Sequence, residues 1–288
     1  MLQAATTTYA NSKQIAIIGP PNAGKTVIAG LLYDSIVNKF LPTHKTYRLQ
    51  VENGLDFLQR TMLNLKKGEF PAKTPADEIN KVEMILRQDV GTGGKIEIKL
   101  HDVVGETYEE LYIQELPKNE RLFRTLEKGK QKGQTYGDMA FLIFAKLYVV
   151  LVDCEKVNDW AKISYDNVKL VNTILQWKEG INQANNGKIK TPIAIMFTKT
   201  DLLNEEMAKK SGEELLKEFM PEFYQQLNST LEKPPTFCKV RLEVDRSASN
   251  TSNTESTSLV NYKVRTPIKY SDEQYVELIL WIDQNMQE

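Results

Sequence analysis

The stretch IAIIGPPNAGKT, residues 15–26, decides the fold. Ile15-Ala16-Ile17-Ile18 is an apolar run of the length of a buried strand. Gly19-Pro20-Pro21-Asn22-Ala23-Gly24 can neither extend that strand nor open a helix cleanly. The prolines lack an N–H and fix φ, and the glycines admit backbone conformations closed to other residues. From residue 26 to 38 the apolar side chains Val27, Leu31, Leu32 and Ile36 then recur on one helical face. A strand that stops in a glycine loop before a helix presents backbone N–H groups to a ligand. The spacing G-x-x-x-x-G-K-[ST] says which ligand: the N–H groups cradle phosphate oxygens, and the helix N-terminus faces the same anion. Lys25 then reaches the β and γ phosphates, and the Thr26 hydroxyl ligates Mg²⁺.

Working outward, apolar runs alternate with helical stretches. Residues 81–89 and 96–100 read as two strands joined by the glycine-bearing turn VGTGGK. Residues 147–152, 193–197 and 237–244 read as further strands, 168–177 as a helix. Residues 271–284 read as a closing helix with Ser271 as its cap. Continuous apolar strands between helices predict an α/β fold: a mostly parallel six-stranded sheet, one antiparallel edge strand, helices on both faces. Residues 246–258, RSASNTSNTESTS, read as a polar loop.

Composition narrows the function classes. The 288 residues carry a formal net charge of -1, which gives no global field toward nucleic acid or anionic membrane. Two distant cysteines, Cys154 and Cys238, make no disulfide framework, and two histidines exclude a histidine-rich metal site. The N-terminal residues lack the pattern of a signal peptide, and the longest apolar run, 139–152, contains Lys146 and is too short to span a bilayer. The expectation is a cytoplasmic protein.

Three more motifs follow in chain order. In IKLHDVVGE, residues 98–106, a strand ends at Asp102, placed to hold Mg²⁺ through water, and the Gly105 N–H can sense a γ-phosphate. In MFTKTD, residues 196–201, Asp201 can accept hydrogen bonds from N1–H and N2–H of guanine, and Lys199 lays its stem along the base. Adenine offers no such donor pair and would leave the carboxylate unpaired. Beyond the last sheet strand, the backbone of Ser247-Ala248 can meet the guanine O6.

This ordered set, each member at the C-terminal end of a strand, resembles the Ras-like guanine-nucleotide-binding domain. It points to the class of translation-factor-related and small regulatory GTPases, in a prokaryotic form with long switch insertions. The resemblance covers roughly residues 13–285. It implies one GTPase domain over 1–288, with insertions at about 39–80 and 107–137. Thr198 stands where most members have Asn and can still hydrogen-bond the phosphate loop. The first-switch threonine that caps Mg²⁺ has four candidates, Thr43, Thr46, Thr61 and Thr74. Thr74 is favoured because it lies shortly before the second strand.

Glu106 stands where many relatives place a water-orienting Gln. A carboxylate beside a triphosphate is disfavoured in its charged form. Glu106 therefore has a raised pKa, turns away, or leaves the role to another residue. The resemblance thus implies slow GTP hydrolysis and a nucleotide-dependent switch for a protein partner. A GTP-binding scaffold with negligible hydrolysis is the second reading, and an ATP-using phosphotransferase the third. Arg121 and Arg124 fall in the basic segment of the second insertion, a solvated face, a partner surface, a nucleic-acid or lipid patch, or a source of an arginine finger in cis. Homodimerisation through the switches stays open.

Overall fold

The computed structural model describes residues 15–19, 22–72, 80–89, 95–102, 145–155, 188–248 and 260–286. In chain order the described elements are β1 (Ile15–Ile18), α1 (Lys25–Ser35), β2 (Tyr47–Asn53), α2 (Leu55–Lys66), β3 (Asn80–Gln88), β4 (Lys95–Asp102), β5 (Leu147–Asp153) and β6 (Ile193–Thr198). They continue with α3 (Glu205–Lys209), α4 (Gly212–Phe219), α5 (Pro221–Thr230), β7 (Thr236–Lys239), β8 (Val244–Ala248), β9 (Val260–Val264) and α6 (Asp272–Met286).

The fold is α/β. A parallel sheet runs in the order β1-β5-β6-β7, with Ile18 opposite Val150 and Asp153 opposite Thr198. Successive side chains of a strand point to opposite faces, and the core divides accordingly. Ile15, Ile17, Val149, Leu151, Ala194 and Met196 pack with α1, α2 and α6 through Ile28, Leu58 and Leu278. Ala16, Ile18, Val150, Val152, Ile195 and Phe197 pack on the other face with Leu215 and Leu216 of α4 and Phe223 and Leu227 of α5. Both faces of the sheet are therefore covered, which is why its strands are apolar throughout instead of alternating.

The expected count of six strands in one sheet is corrected to four among the described residues. The antiparallel strands form sheets of their own: a meander β2-β3-β4, whose β4 lies beside β1, and a hairpin β8-β9. The predicted hairpin over 81–89 and 96–100 corresponds to β3 and β4, with Leu86 opposite Ile96. Within 39–80, β2 and α2 are regular elements. β2 puts Tyr47, Leu49 and Val51 against the core, and α2 buries Leu58, Met62 and Leu65.

Two helix and strand boundaries also differ from expectation. The first helix changes register after Ser35 and continues as a π-turn over Ile36–Phe40. β7 stops at Lys239, after which Leu242 bridges to Tyr270. Ser271, expected as a cap, immediately precedes α6, and its Oγ accepts a hydrogen bond from the Arg241 N–H at 3.2 Å. The expected helix over 168–177 lies outside the described residues.

α2 sits on α1 through a glycine. A Cβ on Gly30 would lie 2.7 Å from Cγ2 of Thr61, which is itself buried. Gly30→Ala gains about 1 kcal/mol of helix propensity but loses roughly 1–3 kcal/mol to overpacking. We expect a net loss of about 1 kcal/mol in urea unfolding, recovered in Gly30→Ala/Thr61→Ser, where the clashing methyl is gone. The Asp34 carboxylate ties the same helices together. It accepts from the Tyr270 hydroxyl at 2.7 Å and Asn38 Nδ2 at 3.0 Å, and Lys66 Nζ of α2 lies 3.5 Å away.

Candidate nucleotide site

Parallel strands place all their C-terminal ends on one edge of the sheet, and loops leave from there. β1 ends at Ile18 and runs into Gly19, which packs so closely on β5 that a Cβ would lie 2.8 Å from Leu151 Cβ. No other residue fits there without moving the strand. Asn22 (φ 65) and Gly24 (φ 90, ψ 21) are both left-handed, and Ala23 between them is fully buried. Left-handed residues in such a loop turn successive N–H groups inward into an anion-binding concavity.

The start of α1 has the same bias. Among the described residues no side chain caps it at Gly24, and its first turn holds no acidic residue. Its leading N–H groups and the positive end of its dipole thus meet whatever enters the loop. Lys25 lies on that first turn with Nζ donating to the Gly19 carbonyl at 3.1 Å, so its ammonium is folded over the loop it is expected to serve. Thr26 is half-buried next to it.

The second half of the site lies two strands over, roughly 10 Å away at about 4.8 Å per strand. β6 ends at Thr198, which is buried and donates from Oγ1 to the Val152 carbonyl of β5 at 3.4 Å. The hydroxyl expected to reach the phosphate loop thus also ties the end of β6 to the neighbouring strand. Lys199 is left-handed (φ 55), and a 3-10 turn over Thr200–Leu202 follows it. The turn is held from β7: Thr200 donates to the Val240 carbonyl from N at 3.3 Å and from Oγ1 at 3.1 Å. Asp201 is half-buried on the turn.

The Lys199 ammonium donates to Asp153 Oδ2 at 3.0 Å and to Glu155. Burial alone would lower the Lys199 pKa, but Asp153 and Glu155 outweigh it and raise it. The buried Cys154 thiol between these acids is pushed up to about 12, by burial first and then by Asp153 and Asp201. Cys238, also free and buried, is likewise pushed up to about 12, chiefly by burial. Neither thiol supplies a thiolate at neutral pH.

Asp153 and Glu155 escaped the sequence reading. The available signal was a lone carboxylate closing an otherwise apolar strand, LYVVLVD. Ser247 and Ala248, expected against the base, lie in β8 opposite Asn261 and Val260, while Val240 is the residue after β7 that touches the 198–201 turn. Asp102 closes β4 opposite Asn80. Of the other candidate threonines, Thr43 donates to the Lys39 and Phe40 carbonyls, Thr46 lies exposed in the turn before β2, and Thr61 is packed against Gly30. Pro20, Pro21, Thr74, Gly105, Glu106, Arg121 and Arg124 lie outside the described residues.

A metal cage of three or more His, Cys, Asp or Glu side chains is absent among the described residues. Mg²⁺ keeps several waters and takes one or two protein ligands together with phosphate oxygens, and the Thr26 hydroxyl on the first turn of α1 is a donor of that kind. Among the described residues no helix is long and apolar enough to cross a membrane.

A family model described as Double-GTPase 1 matches residues 16–237. No curated protein matches the chain significantly. Among solved structures, one described as Methanosarcina barkeri Roco2 RocCORdC bound to GDP aligns at 12% identity and a TM-score of 0.30, covering 79% of this chain and 42% of that one. The chain therefore spans less than half the length of that structure's chain.

Proposed function

The chain belongs to the Double-GTPase 1 family, and from that premise we propose that it binds GTP and GDP with Mg²⁺ and hydrolyses GTP slowly. In this reading it is a nucleotide-dependent switch for a protein partner. The observation that carries the reading is one shared edge. The uncapped start of α1 with Lys25 folded over Gly19 lies beside the Lys199–Asp201 turn, two strands away on the same parallel sheet. Backbone N–H groups of residues 22–26 and the Lys25 ammonium take the phosphates, and Thr26 takes Mg²⁺. The ion, when bound, neutralises charge between the β and γ phosphates. Asp201 accepts the two guanine donors, and Thr198 and Lys199 place the turn that carries it.

Hydrolysis needs a water held in line with the γ-phosphate. We assign the sensing of that phosphate to Gly105 and Thr74, and the water's position to Glu106. The acidic side chain is a poor match for a water facing a polyanion. Single-turnover GTP hydrolysis by the wild type is expected well below about one per minute, and Glu106→Gln is expected to run several-fold faster. A brisk wild type together with an unchanged variant would contradict this assignment.

A further inference from the structure

We propose that Asp153 is the positioning residue of the guanine subsite, acting through Lys199 with Glu155 as its outer partner. The proposal rests on the reading that Lys199 and Asp201 form that subsite.

Asp153 is the last residue of β5, between the strand that feeds the phosphate loop and the strand that feeds the base turn. Its side chain is 0% exposed. A buried carboxylate is costly unless paired and hydrogen-bonded. Both oxygens of Asp153 are engaged: Oδ2 by the Lys199 ammonium at 3.0 Å, Oδ1 by the Glu155 N–H at 3.0 Å. The second bond also brings Glu155 into reach of the same ammonium. The acid thus ties together a lysine and a glutamate that are 44 residues apart in sequence.

The geometry at the other end of Lys199 is equally constrained. Its backbone is left-handed, a costly conformation for a residue with a Cβ, and its carbonyl accepts from Leu202 N–H at 3.0 Å. The four-carbon stem is therefore held at both ends, by the turn at Cα and by Asp153 at Nζ. A free lysine stem would have to be ordered when a base arrives, at a cost in affinity. Here it is ordered beforehand, as a fixed apolar ledge two residues from Asp201. The same pairing neutralises charge. Without Lys199, the edge would present Asp153, Glu155 and Asp201 to an anionic ligand.

The test compares ligands with and without a base. Affinities for GDP, ADP and inorganic tripolyphosphate are measured with Mg²⁺ for the wild type, Asp153→Asn, Glu155→Gln and Lys199→Ala, and for the double variants with Lys199→Ala. Asp153→Asn is expected to weaken GDP roughly tenfold and leave tripolyphosphate within about twofold. In the Lys199→Ala background it is expected to add no further loss, because its effect runs through that lysine. Unchanged GDP affinity, an equal loss of tripolyphosphate, or full additivity with Lys199→Ala overturns the proposal. If Asp153→Asn fails to fold, Glu155→Gln decides. Its partly exposed pair is expected to be worth about two- to threefold in GDP affinity, again only when Lys199 is present, and no effect overturns the proposal. A wild type that binds ADP as well as GDP overturns the base-site reading itself, a result distinct from a guanine-selective wild type in which Asp153→Asn changes nothing.

Discussion

Lys25→Ala is expected to lower GTP affinity by about a hundredfold or more, since hydrogen bonds to charged groups contribute roughly 1.5–3 kcal/mol each and the proposed role of Lys25 is to serve two phosphates. The ammonium is already folded over the loop, donating to the Gly19 carbonyl. Binding therefore redirects a positioned charge instead of recruiting a mobile one. The fold should survive the change, because Lys25 is only half-buried and starts a helix whose buried face is formed by Ile28, Leu31 and Leu32. Isothermal titration of GTP, paired with urea unfolding, reads both effects. A wild-type affinity in a folded Lys25→Ala protein would show that the phosphates bind elsewhere.

Asp201→Ala is expected to cost about a hundredfold in GDP affinity while ADP changes little, because two charge-assisted hydrogen bonds are lost with one and none with the other. The turn that carries Asp201 is also held by the two bonds from Thr200 to Val240 and by the pinned Lys199. Urea unfolding of the variant separates loss of base recognition from collapse of the turn. Equal losses for GDP and ADP would contradict the guanine assignment.

The loop that carries Lys25 was legible in the sequence for a physical reason. A phosphate loop demands glycine where the backbone is left-handed or where strands approach closely, so Gly19 and Gly24 mark it. The buried parallel strands were legible because both of their faces are apolar, as in LYVVLVD and IAIMFT. β2 was not, because YRLQVEN buries only one face and its apolar positions alternate with polar ones. α2 in LDFLQRTMLNLK escaped for a related reason: only Leu58, Thr61, Met62 and Leu65 are buried. Both elements were absorbed into an expected insertion, although their periods of two and 3.6 residues were present. Asp153 was illegible as a partner because the lysine it holds lies just past the end of another strand, and only the parallel register of β5 and β6 brings Asp153 opposite Thr198. The assignment of Ser247-Ala248 relied on order along the chain. Those two residues lie in β8, and Val240, just past β7, bonds to Thr200 of the base turn.

The central claim is that one edge of the sheet recognises a guanine nucleotide. Its most direct test is competition of GDP, GTP, ADP and ATP against a fluorescent guanine nucleotide on the full chain with Mg²⁺. The account predicts that GDP and GTP displace the probe while ADP and ATP fail to do so at concentrations about a hundredfold higher. Displacement by adenine and guanine nucleotides alike would contradict it, leaving a phosphate-binding loop without a guanine site.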